Sequence, residues 1–95
     1  MKLVSIVPAA SGSSKKYTAT FDINGRIKKV SFGARGYSDY TMHKDDARRS
    51  RYMSRHRSRE HWSDPTTPGA LSRYVLWNKK SIRASIADYK RRFNL

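Results

Sequence analysis

The sequence predicts a small α+β domain, in which an N-terminal β-hairpin, with a third short strand as an option, packs on about three α-helices. Three observations support this fold class: a hairpin signal at Asn24-Gly25, a basic segment with helical spacing after Lys44, and an apolar stripe with helical spacing near the C-terminus. A chain of 95 residues has the length of one domain. We assign residues 1–14 to an N-terminal arm and linker, and residues 15–95 to that domain.

The hairpin prediction rests on Asn24-Gly25, because both central positions of a type I′ turn need a positive φ. Pairing outward from this turn gives the cross-strand pairs Ala19–Val30 and Tyr17–Phe32. Their face of the hairpin is apolar and the opposite face is polar. A lone hairpin is only marginally stable in water, so we expect the last two helices to cover the apolar face.

Residues 1–14 differ in composition from the rest of the chain, with one Lys and mainly small or apolar side chains. The apolar run Leu3–Val7 is too short for the hydrophobic region of a signal peptide. It is either a strand in the domain's own sheet or an arm that reaches a neighbouring subunit, and Pro8–Ser14 is a linker. We expect residues 1–14 to serve assembly rather than folding.

A basic helix is predicted over Asp45–Glu60. Asp45 is a favourable N-cap, and neither Gly nor Pro occurs before Pro65. A rotation of about 100° per residue places four arginines on one face, which we call the arginine stripe: Arg48, Arg51, Arg55 and Arg59. Lys44 extends the stripe before the cap. One flank of the helix carries Tyr52, Met53 and His56, and we expect this flank to dock on the core.

Two further helices are predicted. The first has Thr67 as N-cap, Pro68 at its first position and its end near Trp77. The second carries an apolar stripe with i, i+4, i+7 and i+11 spacing, made of Ile82, Ile86, Tyr89 and Phe93. Arg73 interrupts an otherwise apolar helix, and Arg91 and Arg92 exceed what capping of the last turn requires. We expect these three arginines to face an anion.

The charge of the chain is strongly unbalanced, since 21 Lys and Arg against 7 Asp and Glu give a net charge of +14. A dense row of arginines repels itself unless negative charge lies against it, so an anionic partner is expected. An acidic protein face, nucleic acid and an anionic membrane surface would each serve. A basic but merely solvated surface is the alternative that needs no partner. The chain has no cysteine, which excludes disulfides and thiolate metal sites.

One constellation suggests catalysis. His56 and Glu60 are one helical turn apart and together could bind a metal ion, as in a small nuclease. A packed histidine next to an ion-paired glutamate explains them more simply. The sequence has no HExxH motif, paired-carboxylate motif or glycine-rich phosphate loop. We therefore predict no catalytic residue, no metal, no cofactor and no small-molecule substrate.

Two groups of residues form a recognisable pattern. The first is Gly36-Tyr37-Ser38-Asp39-Tyr40-Thr41, His43, Asp45, Arg48 to Tyr52, Arg55-His56 and Glu60. The second is Trp62, Asp64, Gly69, Leu71-Ser72-Arg73, Leu76-Trp77, Ser85-Ile86, Tyr89 and Arg92-Phe93. Over about residues 16–95 the chain resembles a family of short, basic, uncharacterised proteins encoded by large double-stranded DNA viruses of algae and protists. The resemblance implies a viral source, where such proteins are needed on packaged DNA and as cementing pieces beneath the capsid shell, and it supplies no catalytic or binding residues to transfer.

These observations predict a non-enzymatic virion structural protein, a minor capsid component that binds acidic faces of neighbouring capsid proteins. The predicted contact residues are Lys44, Arg48, Arg51, Arg55, Arg59, Arg73, Arg91 and Arg92. The alternative function is a small DNA-packaging protein whose arginine-rich helix lies along phosphates.

Overall fold

A computed structural model describes residues 1–95 and has the α+β architecture that the sequence predicts. Three antiparallel strands form one sheet in the order β1-β2-β3: β1 Lys2–Pro8, β2 Lys15–Ile23 and β3 Arg26–Ala34. The helices are α1 Tyr40–His43, α2 Asp46–His56, α3 Pro68–Leu71, which continues as a π-helical turn Ser72–Leu76, and α4 Ile82–Phe93. None of them combines the length and the apolar character that a membrane crossing requires.

The hairpin of β2 and β3 has the predicted turn and register. Asn24 and Gly25 have φ values of 53° and 87°, the positive φ that this turn requires. The pairs Ala19–Val30 and Tyr17–Phe32 are both present. The Asp22 carboxylate accepts a hydrogen bond of 2.8 Å from the Gly25 N–H, which closes the turn.

The N-terminal segment is a strand of the sheet, so the structure decides between our two alternatives. β1 pairs antiparallel with β2 from Lys2 to Pro8, with one bulge between Leu3 and Ser5. Leu3 is only 6% exposed and lies in the hydrophobic core. The expectation that residues 1–14 serve assembly rather than folding is therefore corrected, because burial of Leu3 and the strand ladder both stabilise the folded domain.

The core lies between one face of the sheet and the last two helical segments, as predicted. Its sheet side consists of Leu3, Ala19, Phe21, Val30 and Phe32. Its helical side consists of Leu71, Val75, Leu76 and Tyr89. The aromatic stripe of α4 contributes at the margin, where Phe93 packs edge-on against Tyr74 and Tyr89.

The end of β3 approaches the π-helical turn closely, and this contact shapes the functional site described below. Gly33 has a φ of +78°, and a Cβ at this position would lie 2.8 Å from Leu76 Cδ1. Only glycine combines that backbone conformation with that separation. β3 and the turn are thereby held side by side.

α2 begins where predicted and ends earlier. The Asp45 side chain caps it by accepting hydrogen bonds from Ala47 N (2.9 Å) and Arg48 N (3.2 Å). The predicted end at Glu60 is wrong, because the helix stops at His56 and the chain turns. This turn brings the Glu60 carboxylate against Gly69 at the start of α3, a tertiary contact that a straight helix would not make.

The flank of α2 that carries Tyr52 and Met53 is buried and docks on Trp77 at the margin of the core. The Tyr52 ring stacks on Trp77 with 4.3 Å between centroids and 3° between planes. Its other face stacks on His56, also at 4.3 Å. The arginine stripe lies beside this flank and stays exposed to solvent.

Candidate functional site

A cleft with a volume of about 700 Å³ separates α2 from the end of β3. One wall is the α2 face with Arg48, Arg51, Tyr52, Arg55 and His56. The other wall is formed by Lys15, Lys16, residues 32–34 and residues 37–39. The floor and one end are formed by Glu60, Pro68, Gly69, Ser72, Leu76 and Trp77. We call this site the basic cleft.

Three members of the arginine stripe line the basic cleft: Arg48, Arg51 and Arg55. They lie at i, i+3 and i+7 on α2, so the helix itself directs them to one side. All three are exposed, and none takes part in any of the four ion pairs of the protein. The α2 wall thus presents three guanidinium groups that lack a carboxylate partner within the chain.

The carboxylates that line the basic cleft already have partners. Asp39 is buried, pairs with Lys16 Nζ at 2.6 Å and caps α1 by accepting a hydrogen bond from Thr41 N. Glu60 Oε1 lies 3.6 Å from His56 Nδ1. Lys16 and Asp39 neutralise each other. Glu60 is then the only remaining negative charge of the cleft, against the four positive charges of Lys15 and the three arginines. The field in the cleft is therefore positive.

His56 and Glu60 mark one end of the cleft. The Glu60 carboxylate lies where a Cβ on Gly69 would be, so a side chain at Gly69 would have to displace it. No group of three or more His, Asp or Glu side chains is close enough to hold a metal ion. The geometry of His56 and Glu60 is that of an ion pair on adjacent turns.

The rings beneath the arginines are already stacked on each other. Tyr52 lies between Trp77 and His56, so both of its faces are covered. Burial raises the pKa of the Tyr52 hydroxyl to about 12, which keeps it neutral over the physiological range. These rings give the cleft an apolar base, and Tyr52 itself offers no free face to a ligand. Tyr37, which also lines the cleft, is 73% exposed.

The two ends of the predicted basic row lie outside the cleft. Arg59 follows the end of α2 in a turn and is exposed. Lys44 is the left-handed C-cap residue of α1, with a φ of 58°, and its Nζ donates to the Thr41 carbonyl at 3.0 Å. The early end of α2 separates Arg59 from the other three arginines.

Arg91 and Arg92 pair with an anion within the chain. Both pair with Asp88, at 2.8 Å and 3.3 Å. Asp88 is buried and also accepts a hydrogen bond of 2.7 Å from Asn78 Nδ2. The Asn78 hydrogen bond, followed by Arg92 and Arg91, lowers the pKa of Asp88 below its usual value. The surplus charge at the end of α4 therefore balances a buried carboxylate.

Arg73 packs against aromatic rings. Its guanidinium lies 4.8 Å from the Tyr74 ring centroid and 5.5 Å from that of Trp62. Its Nε and Nη1 atoms are buried without a hydrogen bond, and burial lowers the pKa of the group. Within the chain, Arg73 therefore makes cation–π contacts and has no carboxylate partner.

Lys15 and Lys16 belong to the cleft although sequence reasoning did not select them. They are distant from the arginines in the chain, and ordinary strand residues carry no signal of a binding site. The hairpin register contains the one usable clue. Lys15 pairs with Ala34, the last residue of β3, and the chain continues from there to α2.

The sequence pattern of a family of unknown function, DUF5754, matches residues 4–56, which is more than half of the chain. The chain belongs to the DUF5754 family. The matched part includes the sheet, α1 and α2. In this DUF5754 protein, both walls of the basic cleft therefore lie within the family pattern, and the floor lies outside it. Comparison with curated proteins and with solved structures finds no match.

Proposed function

We propose that this protein is a non-enzymatic structural protein that binds an acidic surface of a neighbouring protein through the basic cleft, as a minor component of a viral capsid. The observation that carries the proposal is the convergence of Arg48, Arg51 and Arg55 on one concave site, where none of them pairs with a carboxylate of the chain. A cluster of like charges costs stability, so a site that keeps it is expected to meet an anion.

A protein face that carries carboxylates fits this site. Arginine forms two parallel hydrogen bonds with a carboxylate, as it does with a phosphate, and a fixed protein face can hold several carboxylates in register with α2. Single-stranded nucleic acid usually adds base stacking on several free aromatic faces. Both faces of Tyr52 are covered, and Tyr37 is the one tyrosine of the cleft that is largely exposed.

The capsid setting comes from the resemblance to short basic proteins of large DNA viruses. In such a particle the partners would be other capsid proteins, and the protein would lie in the shell or its interior. A cysteine-free basic protein of this size suits a cementing role, because it binds through charge and shape without covalent links.

The alternative function, a nucleic-acid-binding protein, is favoured by the charge of the whole molecule. Of 21 Lys and Arg side chains, only Lys16, Arg91 and Arg92 take part in ion pairs. The remaining positive charge would attract a polyanion, and an anionic membrane surface inside the particle would be attracted in the same way.

A variant that changes the geometry of the cations but not their charge separates these functions. Arg48, Arg51 and Arg55 are replaced together by Lys, and the control carries Lys at three exposed arginines outside the cleft: Arg57, Arg59 and Arg83. We expect the cleft variant to retain DNA in a low-salt pull-down yet to fail to enter particles, because Lys lacks the planar fork. The control should do both as the parent does.

The same experiment gives results that contradict the proposal. Normal incorporation with loss of DNA retention would support the nucleic-acid function. Normal behaviour in both assays would identify the stripe as a solvated face. Finding the parent protein in purified particles at a fixed copy number, and with the shell after disruption, is the complementary measurement.

A further inference from the structure

We propose that the partner enters the basic cleft with an extended segment in which acidic side chains alternate with apolar ones, rather than with a flat acidic face. This inference rests on the proposed function and specifies its ligand. Three features of the cleft carry it: its two facing walls, the spacing of its cations and its apolar floor.

The two-walled shape of the cleft favours a protruding partner. Residues of α2 and of the end of β3 line the same cleft of about 700 Å³. Leu76 lines it too but is only 2% exposed, so a flat surface resting on the exposed arginines would not reach it. A partner that fills the site must therefore insert a narrow element, such as a single chain segment.

The spacing of the arginines matches an extended chain. With a rise of about 1.5 Å per helical residue, Arg48 and Arg55 are about 10 Å apart along α2, and Arg51 lies between them. In an extended chain, side chains on one side recur every 6–7 Å, at about 3.3 Å per residue. Two or three alternate acidic side chains would thus follow the α2 wall, and the side chains between them would point to the other side.

The apolar floor of the cleft is the reason why every second side chain of the partner segment should be apolar. Leu76, Trp77 and Pro68 lie at the base of the cleft, between the charged walls. An acidic side chain directed at them would lose its hydration without gaining a cation, which is costly. An apolar side chain there would be buried favourably.

The test uses the full chain and labelled peptides, with binding followed by fluorescence anisotropy. One short peptide alternates Glu and Leu, and its matched control alternates Glu and Ser with the same charge and length. An oligothymidylate with the same number of negative charges is the third probe. We expect the Glu-Leu peptide to bind at least about tenfold more tightly than the other two.

Two variants fill the cleft without changing charge: Ala34→Trp and Ser38→Trp. Both positions are exposed and line the cleft, so each variant is expected to melt like the parent. The control is Ala87→Trp, at an exposed position of α4 away from the cleft. We expect both filling variants to weaken binding of the Glu-Leu peptide at least about tenfold and the control to leave it unchanged.

Each of the other results overturns the inference in a distinct way. Unchanged peptide binding in both filling variants would show that the arginines act from a flat surface, which leaves the proposed function standing. Equal affinity for the Glu-Leu and Glu-Ser peptides would remove the apolar requirement. Tighter binding of the oligothymidylate, blocked by the filling variants, would assign the cleft to nucleic acid and overturn the proposed function as well.

Discussion

Phe32 shows how single residues tie the hairpin to the helices. Its side chain is fully buried, stacks on Tyr17 at 6.0 Å and lies in the same core cluster as Leu71 and Val75. Removing the ring leaves a cavity that surrounding residues fill only in part. Phe32→Ala should therefore lower the free energy of unfolding by about 3–5 kcal/mol.

Chemical denaturation of the purified variant measures this effect. Ile27→Ala is the matched control, because Ile27 is in the same strand but 60% exposed. It should stay within about 0.5 kcal/mol of the parent. If Phe32→Ala unfolds at the same denaturant concentration as the parent, this assignment of the core is wrong.

Asp88 is the residue whose charge the fold depends on most directly. Its carboxylate binds Asn78, Arg91 and Arg92, and these contacts lower its pKa. A carboxylate with a lowered pKa in the folded state stabilises the protein above the pKa of the unfolded state, near 3.9, and loses this contribution as the pH falls through the folded value. Asp88→Asn should cost about 1–3 kcal/mol at neutral pH.

The melting temperatures of parent and Asp88→Asn, followed from neutral pH to about pH 2, test the sign of this effect. Their difference should be constant above about pH 5 and should shrink as the parent carboxylate is protonated. Asp22→Asn is the control for the loss of one negative charge, because an Asn side-chain oxygen can still accept the hydrogen bond from the Gly25 N–H. A difference that grows towards acid pH would contradict the role given to Asp88.

Among the elements, β1 combines two properties: it is an edge strand, and it also buries a core residue. Leu3 packs in the core, whereas Val7 in the same strand is about half exposed. Leu3→Ala should cost about 2–5 kcal/mol, and Val7→Ala should change little. Deletion of residues 1–9 removes the whole β1 ladder, so the remaining chain should lose its cooperative thermal transition.

Circular dichroism melts of the three variants check this prediction. A cooperative transition in the deletion variant, at the temperature of the parent, would return residues 1–9 to the role of an arm. Leu3→Ala and Val7→Ala both leave the backbone ladder of β1 intact. Comparing them therefore separates the stability contributed by a buried side chain from the stability contributed by the strand itself.

At the scale of the whole molecule, the unbalanced charge should make stability depend on salt. Only three of the 21 Lys and Arg side chains are in ion pairs, and Arg51 and Arg55 are like charges one turn apart on α2. Such a pair destabilises a helix by about 0.2–0.5 kcal/mol. Raising NaCl from about 20 mM to 0.3 M shortens the range of these repulsions and should raise the Tm.

Replacing Arg51 with Gln should itself raise the Tm in low salt and reduce the response to NaCl, because the variant removes one repulsive centre. Lys80→Gln, at an exposed position between helices, is the control for loss of one charge. A Tm that is independent of salt in the parent would mean that repulsion among the cations is negligible. A lower Tm for Arg51→Gln would mean that Arg51 makes a stabilising contact.

The sequence by itself determined the local elements, because their signals are short-range. Asn24-Gly25 specifies its turn through backbone φ, Asp45 and Thr67 cap helices through their own side chains, and the stripe from Ile82 to Phe93 follows from helical spacing. The fold class followed from these signals. So did the placement of three arginines on one face of α2, since helical geometry alone sets their direction.

Only the tertiary structure decided where the charges go and which of them form a site. Arg91 and Arg92 pair with Asp88, Arg73 packs between Tyr74 and Trp62, and α2 ends before Arg59. These outcomes depend on contacts between residues far apart in the chain, where burial of a ring or pairing of a carboxylate outweighs weak local preferences. The cleft itself has the same origin. It exists because Gly33 lets β3 approach Leu76 while Tyr52 stacks on Trp77, and no local pattern encodes the space left between those two contacts.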